Sequence, residues 1–538
     1  MASDKSFIAG STDRPTAHSF HLRRICLSLL LLAAVSVRRV KAMSTMSSSP
    51  TSSRRRVAIV GGGISGCACL RQLVSQHKNV HVSLFDWGRS VGGRSSHRFR
   101  PEPATADPHT TLKLHYDHGA QFFHVTDDEF LGLIRPVIQQ WPEDASRLGW
   151  LDSKTGTFTT ASQKIVGNGK NSYGFFGACD MSLDSHRYVG IGGMNALCEE
   201  LLRGAKEIAD DRIQIYEGTR VARCERVAAD GSNRNVWKLF GDGLGHEQAN
   251  TNALQNSQQN ELGEFDEIVI TDHMAAAMPS WHPCHIVGLE GAVPELVSTL
   301  RTALEWNELE RRFACVKPLF SCMVALERKP DAPSFRPSFD AAAIEGNGVL
   351  QWVCSQDSRP HPKGDDIPEG QLLDRWILVS TAEFAAQCLG SEGMSKLASS
   401  SSSGVTSKVE YIPQTDDYLR SDPAKLMCDE FIKLLKIDEN VGNEGSDNTP
   451  KIVYSKCQRW GAAYTTKSAK MDLQQTEELM NVFKSHELDN SVSLCGDFVN
   501  VITSLDTDDE SSYDGRCAIQ GAAFSGMDAA KRIANRMT

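Results

Sequence analysis

The sequence predicts an α/β fold: a Rossmann-type dinucleotide-binding domain carrying an inserted α+β substrate domain built on a mixed or antiparallel sheet. Three observations lead there. Arg56 to Gly93 reads as strand, glycine turn, helix and strand; Phe265 to Thr271 and Ser493 to Phe498 return to buried-strand character late in the chain; and the stretch between them is rich in strands of its own.

The glycine turn comes first. Val57 to Val60 is a short apolar run suited to a buried parallel strand, and Gly61, Gly63 and Gly66 follow it at G-x-G-x-x-G spacing. The three glycines serve different ends. Gly61 allows the tight turn, Gly63 lets backbone approach a pyrophosphate, and Gly66 lets the following helix lie close to the strand. Small and apolar residues from Cys67 to Val74 continue as that helix, whose N-terminal N–H groups would face the phosphates. Val80 to Phe85 is the second strand. It ends in Asp86, twenty residues past Gly66, where a carboxylate should accept hydrogen bonds from an adenosine ribose. A lone glycine motif is weak; this one has strand, turn, helix, strand and acid in order.

The 538 residues suffice for two or three domains, or for one discontinuous two-domain enzyme. A net charge of -10 argues against nucleic-acid binding, which needs clustered excess Lys and Arg. The basic clusters are N-terminal, at Arg23-Arg24, Arg38 to Lys41 and Arg54 to Arg56. Residues 1–53 read as a leader, and the apolar core Ile25 to Val37 is too short for a confident membrane span. A secretory or plastid-type organelle address competes with an internal start at Met43 or Met46, which would give a cytoplasmic enzyme; no stable membrane span is expected in the mature protein. The fifteen cysteines form no C-x-x-C pairs and no zinc-type spacing, so no metal site is expected.

In order, the expected parts are a first dinucleotide-domain segment (54–125), a first substrate-domain segment (126–185) and a second dinucleotide-domain segment (186–280). A second substrate-domain segment (281–490) and a C-terminal closing segment (491–538) follow. Phe130 to Gln140 reads as a helix. Arg212 to Tyr216, Thr219 to Val227 and Trp237 to Phe240 read as strands of an inserted sheet, and polar 241–264 as a flexible loop. Cys315 to Glu327, Gly348 to Cys354 and Trp376 to Thr381 are further strands, and Pro423 to Leu435 is a helix. Ser-rich 395–407 and polar 438–449 read as insertions, and Asp506 to Glu510 as a solvated acidic loop.

A second glycine-arginine turn, Gly88-Arg89-Ser90-Val91-Gly92-Gly93-Arg94, resembles the GR-x-x-GGR signature of the flavin amine oxidase superfamily, whose FAD-binding fold is of the GR2 type. With YDHGAQFF, YVGIGGMNAL, LQWVCSQDSRP, WILVSTAEFAAQCL, QRWGAAY and CGDF in family order from about Arg56 to Arg536, the chain resembles the renalase-like branch. The resemblance implies non-covalent FAD. Gly61, Gly63, Ile64, Ser65 and Gly66 would hold the pyrophosphate and Asp86 the ribose; Arg89 belongs to the second turn, and Gly93 and Arg94 would lie against the flavin-side phosphate and ring. Val221 would bracket the adenine, Gly496 would be a further cofactor contact, Asp497 would meet the ribityl or phosphate region, and the turn at Gly521-Ala522 would aim helix N–H groups at the flavin pyrimidine. On the substrate side the candidates are His118, Gln121, Trp352, Arg459, Trp460 and Tyr464. Against each stands a plainer role: core tryptophans, a satisfied buried histidine, or Arg459 paired with a carboxylate. The chain departs from the family's Ala-Pro after the rejoining strand, having Thr271-Asp272.

The implied activity is hydride transfer from a small reduced substrate, such as a dihydro-NAD(P) isomer, to flavin, with molecular oxygen as acceptor and hydrogen peroxide as product. An amine oxidase, a desaturase or protoporphyrinogen-oxidase-like enzyme, and a non-catalytic FAD-binding protein are the alternatives.

Overall fold

The computed structural model describes residues 54–103, 111–160, 186–229, 234–243, 259–327, 337–360, 373–389, 395–397, 409–437, 451–504 and 518–537. They belong to one compact unit, 54–538. The leader, the 438–449 insertion and the 506–510 loop lie outside the described residues.

The chain carries a Rossmann-like domain. Strand β1 (Arg55–Val60) is followed by helix α1 (Ile64–Gln76) and strand β2 (Val80–Phe85), and β1 pairs in parallel with β2 from Arg55↔Val80 to Val60↔Phe85. Strand β3 (Ile213–Tyr216) lies outside β2, and β4 (Glu267–Ile270) lies on the other side of β1 with the strand Val492–Leu494 beyond it, all parallel. Short helix α2 (His273–Ala277) leaves the end of β4, and the long helix α3 (Ala518–Met537) packs on α1. A parallel sheet covered on both faces needs apolar residues at every position. Val57, Ala58 and Ile59 are accordingly fully buried. Helix α1 buries Cys67, Cys69, Leu70 and Leu73, each side chain contributing on the order of 1–3 kcal/mol. Because β2 and β4 flank β1, the carboxyl ends of β1 and β4 open a crevice at the point where strand order reverses, the usual ligand position in such sheets.

The second sheet has seven strands. Its longest members are β5 (Val316–Glu327) and β6 (Lys451–Thr465), antiparallel neighbours at one edge, followed by Leu373–Ser380, Leu350–Ser355, Ala341–Glu345, Leu148–Asp152 and Phe158–Thr160. One pairing, Ala341–Glu345 with Leu148–Asp152, is parallel, so the sheet is mixed. Between Leu319↔Trp460 and Lys317↔Tyr464 the register shifts, and β6 bulges through Gly461, Ala462 and Ala463.

Four expectations need correction. The helix expected over Phe130 to Gln140 spans only Asp128–Ile134; a 3-10 turn containing Pro136 follows, then a strand, Ile138–Gln140, that pairs with Tyr188–Gly190. Proline lacks the N–H that would continue the helix. Arg212 to Tyr216 supplies β3 of the parallel sheet rather than part of an inserted one, since its Ile213 and Ile215 pack on the domain core. The 241–264 loop is shorter than expected: Asn235–Gly243 and Asn260–Phe265 are neighbouring strands of a three-stranded antiparallel sheet with Thr219–Ala228. The Ser-rich insertion begins with a short strand, Ser395–Leu397, paired with Val409–Tyr411; 398–407 lie outside the described residues.

Candidate functional site

At the crevice the glycines separate by what requires them. Gly61 has φ +111°, and a Cβ there would lie 2.0 Å from Thr271 Oγ1 on the segment after β4. A Cβ on Gly66 would lie 2.0 Å from the Gly61 carbonyl oxygen. Both are required by the chain's own packing. Gly63 is different: its φ is -75°, and a Cβ would meet only Gly93 Cα at 4.0 Å. No protein packing demands a glycine there, whereas a phosphate resting on the backbone would. Gly63 caps α1, whose first turn has neither an acidic residue nor a side-chain cap, so its N–H groups and positive dipole end meet the crevice uncompensated. Ile64 and Ser65 of that turn are buried, so they offer backbone and not side chains.

Asp86 is buried at the end of β2 and turns toward the chain. Its Oδ2 accepts from the Gly62 N–H at 2.6 Å and its Oδ1 from the Gly88 N–H at 2.5 Å, tying the two glycine turns together. Burial pushes its carboxyl above the usual range against the pull of those two bonds. The strand carrying Val221 starts beside it, with the Gly218 N–H on the Gly88 carbonyl and Thr219 N–H on the Asp86 carbonyl at 2.8 Å. Val221 is buried at a register shift in that strand, and Arg89 is exposed in the second turn.

The second turn faces the first, Gly93 opposite Gly63. Arg94 then reaches across the crevice: Nη1 donates to Asp497 Oδ2 at 2.7 Å and to the Ala463 carbonyl in the β6 bulge at 3.2 Å, while Nη2 donates to Asp497 Oδ1. Burial opposes ionisation of Asp497, but Arg94 holds its carboxyl below the usual range. Gly496 has φ +138°, and a Cβ there would lie 2.9 Å from the Thr271 carbonyl oxygen, so this turn also needs glycine. The first and second turns, the end of β4 and the Gly-Asp turn thus converge. Gly521 and Ala522 form no turn; they lie inside α3, where the alanine-rich sequence continues the helix toward its N-terminus. Helix α3 approaches α1 closely, a Cβ on Gly526 falling 2.0 Å from the Ser65 carbonyl oxygen.

The substrate-side candidates divide. Trp460 is half-buried, with Nε1 donating to the His118 carbonyl at 3.1 Å, and its ring lies 5.5 Å from the His118 ring. A Cβ on Gly119 would touch both the Arg94 carbonyl oxygen, at 1.9 Å, and Trp460 Cζ2, at 3.5 Å. His118 and Trp460 therefore stand beside the second turn. His118 is buried, and burial, then Arg98 and His97, bring its pKa down to about 3. Tyr464 lies half-buried across the bulge from Trp460; burial and the nearby Glu383 push its hydroxyl up to about 12.

Gln121 and Trp352 are engaged by the chain itself. Gln121 is fully buried, its amide donating to the Asp117 and Gly119 carbonyls at 2.7 and 2.8 Å while Arg359 donates to its oxygens. It locks the His118 loop. Trp352 is fully buried in the core against Phe122, 5.7 Å between ring centres, on a strand covered on both faces. Beneath the loop lies an ion pair that the sequence does not announce: Asp117 accepts from Arg359 at 2.6 Å, from the Met194 N–H at 2.8 Å and interacts with His97 Nδ1 at 2.8 Å. Burial opposes the charge, yet these partners hold the Asp117 carboxyl far below its usual range.

Arg459 is buried but does not pair with a carboxylate among the described residues. Its Nη2 donates to the Tyr411 hydroxyl at 3.0 Å and the Ile412 carbonyl at 2.8 Å. Two further residues were not among the expected site residues: His273 in α2, after the departing Thr271-Asp272, and His282 beyond it. Both are buried histidines without a local motif to mark them.

Among the described residues no three His, Cys, Asp or Glu side chains gather to hold a metal, and no helix is long and apolar enough to cross a membrane. Residues 59–135 match the family model of the NAD(P)-binding Rossmann-like domain. No curated protein matches the chain. Among solved structures, a "Putative protoporphyrinogen oxidase from Exiguobacterium sp. 255-15" is similar at 11% identity and TM-score 0.46, covering 90% of this chain and 100% of that one.

Proposed function

We propose that the protein is an FAD-dependent oxidoreductase of renalase-like type that oxidises a small reduced molecule. The observation that carries the reading is Gly63: a glycine that the chain's packing does not require, at an uncapped helix end, facing a second glycine turn and an arginine. The residues fit a dinucleotide. The first turn of α1 would hold the pyrophosphate through backbone N–H groups, with Arg94 as the nearby cation and Asp497 toward the sugar alcohol. Asp86, with both oxygens already on backbone N–H groups, positions the two turns and would reach a ribose only through its remaining lone pairs.

When bound, the flavin would supply the hydride acceptor and pass electrons to molecular oxygen, giving hydrogen peroxide. The chain's own contribution is placement. Trp460, fixed by its bond to the His118 carbonyl, and Tyr464 would form an aromatic wall across the β6 bulge from Arg94. His118, with its low pKa, is neutral at physiological pH and would neither donate a proton as a cation nor repel a cationic donor. The preferred substrate class is a dihydronicotinamide isomer.

Anaerobic stopped-flow mixing of the flavin-loaded protein with dihydro-NAD(P) isomers, and separately with amines, tests the reading. Rapid bleaching by the dihydronicotinamides and reoxidation by oxygen are expected. Bleaching by amines alone would move the assignment to an amine oxidase, and no bleaching by either class would remove the enzyme reading.

A further inference from the structure

From the crevice a line of buried basic groups runs away from Arg94. His273 is 3% exposed, its Nδ1 lies 3.5 Å from Asp272, and its Nε2 has no hydrogen-bond partner among the described residues. It interacts electrostatically with Arg94 and Asp497 on one side and with His282 on the other. His282 is 6% exposed and accepts the Cys284 N–H on Nδ1 at 3.1 Å, which leaves the ring proton on Nε2 as a donor. Its ring packs edge-on against Tyr411, 5.1 Å between centres, and it interacts with Arg459. Arg459 closes the line at 2% exposure, with Nε lacking a hydrogen-bond partner among the described residues.

A guanidinium keeps its charge at any physiological pH, and burying that charge without a counter-ion is costly. Two neutral hydrogen bonds on Nη2 offset part of that cost; they supply no negative charge. A ligand anion would supply it. We propose that Arg459, with His282 and Tyr411, forms an anion subsite that takes the acid group of the substrate, a carboxylate or a phosphate ester. The proposal rests on the oxidoreductase reading for calling that ligand a substrate. It places the acid group beside β6, beyond His273, and the reacting end toward Arg94; Trp460, the next residue of the strand, faces the other side of the sheet. Burial, then Arg459, bring the His282 pKa down to about 3, so the subsite presents one fixed cation and neutral donors.

The reporter is built in: the Trp281 ring lies 5.6 Å from that of His282. Tryptophan fluorescence of the full chain, with and without FAD, is titrated with benzoate, phenyl phosphate and neutral benzamide. Saturable change with one or both anions and none with benzamide is expected, and the stronger anion identifies the acid group. Arg459→Gln should weaken that binding at least tenfold without lowering the melting temperature, because it removes a buried charge that has no carboxylate partner among the described residues; Arg459→Lys should restore part of it. Tyr411→Phe, which keeps the ring, should weaken binding by a smaller factor. No saturable response to either anion, equal response to benzamide, or unchanged anion binding in both Arg459→Gln and Tyr411→Phe would overturn the subsite. Because fluorescence reads the apo chain too, failure to retain FAD would count against the oxidoreductase reading alone.

Discussion

Replacing Gly63 and Gly66 separately by alanine distinguishes glycine that serves a ligand from glycine that serves the fold. At Gly66 the new methyl would sit 2.0 Å from a backbone oxygen, so α1 must move off β1. Overpacking of that kind costs about 1–3 kcal/mol. At Gly63 the nearest heavy atom to the methyl is Gly93 Cα at 4.0 Å, an ordinary contact, and the backbone already has a φ that alanine adopts. The structural cost there is the weaker capping of alanine, about 0.5–1 kcal/mol. The same methyl stands where a pyrophosphate would approach the backbone, so FAD affinity should fall at least tenfold, about 1.4 kcal/mol. The assay is thermal unfolding of the apo forms together with equilibrium FAD titration. Gly66→Ala should unfold earlier; Gly63→Ala should melt close to wild type yet lose flavin. Retention of full FAD affinity by Gly63→Ala would refute the reasoning, as would destabilisation of the apo form equal to that of Gly66→Ala.

Other outcomes follow from the same geometry. His118 and His282 are held neutral, with pKa values down to about 3 against about 6.5 in an unfolded chain. Their stabilisation is complete above the unfolded value and is lost as pH falls from about 6.5 toward 3, by up to about 1.4 kcal/mol per pH unit for each; urea midpoints should drop between pH 7 and 5, and His118→Asn should flatten the profile. Arg359→Gln leaves the Asp117 carboxylate short of its buried partner and should cost about 3–5 kcal/mol, read by denaturant unfolding. Trp352→Ala should cost a similar amount through its core cavity, about 3–5 kcal/mol, while Trp352→Phe should leave substrate KM unchanged, since the ring touches the core and not the crevice.

The β1-α1-β2 unit was legible because its signals are local: an apolar run, glycines at fixed offsets, a helix of small residues and an acid, all close together in the chain. The return of β4 to the same sheet was legible from its apolar run Ile268 to Ile270, and that of Val492–Leu494 from the Gly-Asp turn and closing helix that follow it. The 130–140 stretch misled because its apolar spacing outweighed Pro136, which ends the helix. Among the site residues, type was readable and direction was not. Gln121 and Trp352 sit in motifs beside His118 and the second sheet, yet which way each points depends on the sheet face and on Arg359, distant in sequence. Likewise nothing near Arg459 indicates that it meets Tyr411 instead of a carboxylate. His273 and His282 carry no spacing pattern, and only the approach of α2 to the Arg94–Asp497 pair marks them out.

The most direct measurement is the identity of the ligand held by the purified full-length protein, read from its absorption spectrum and from the small molecule released on denaturation. The two visible bands of an oxidised flavin are expected, with quantitative release of free FAD and none left on the polypeptide. A colourless protein that also fails to bind added FAD would contradict the assignment of the crevice to a flavin dinucleotide.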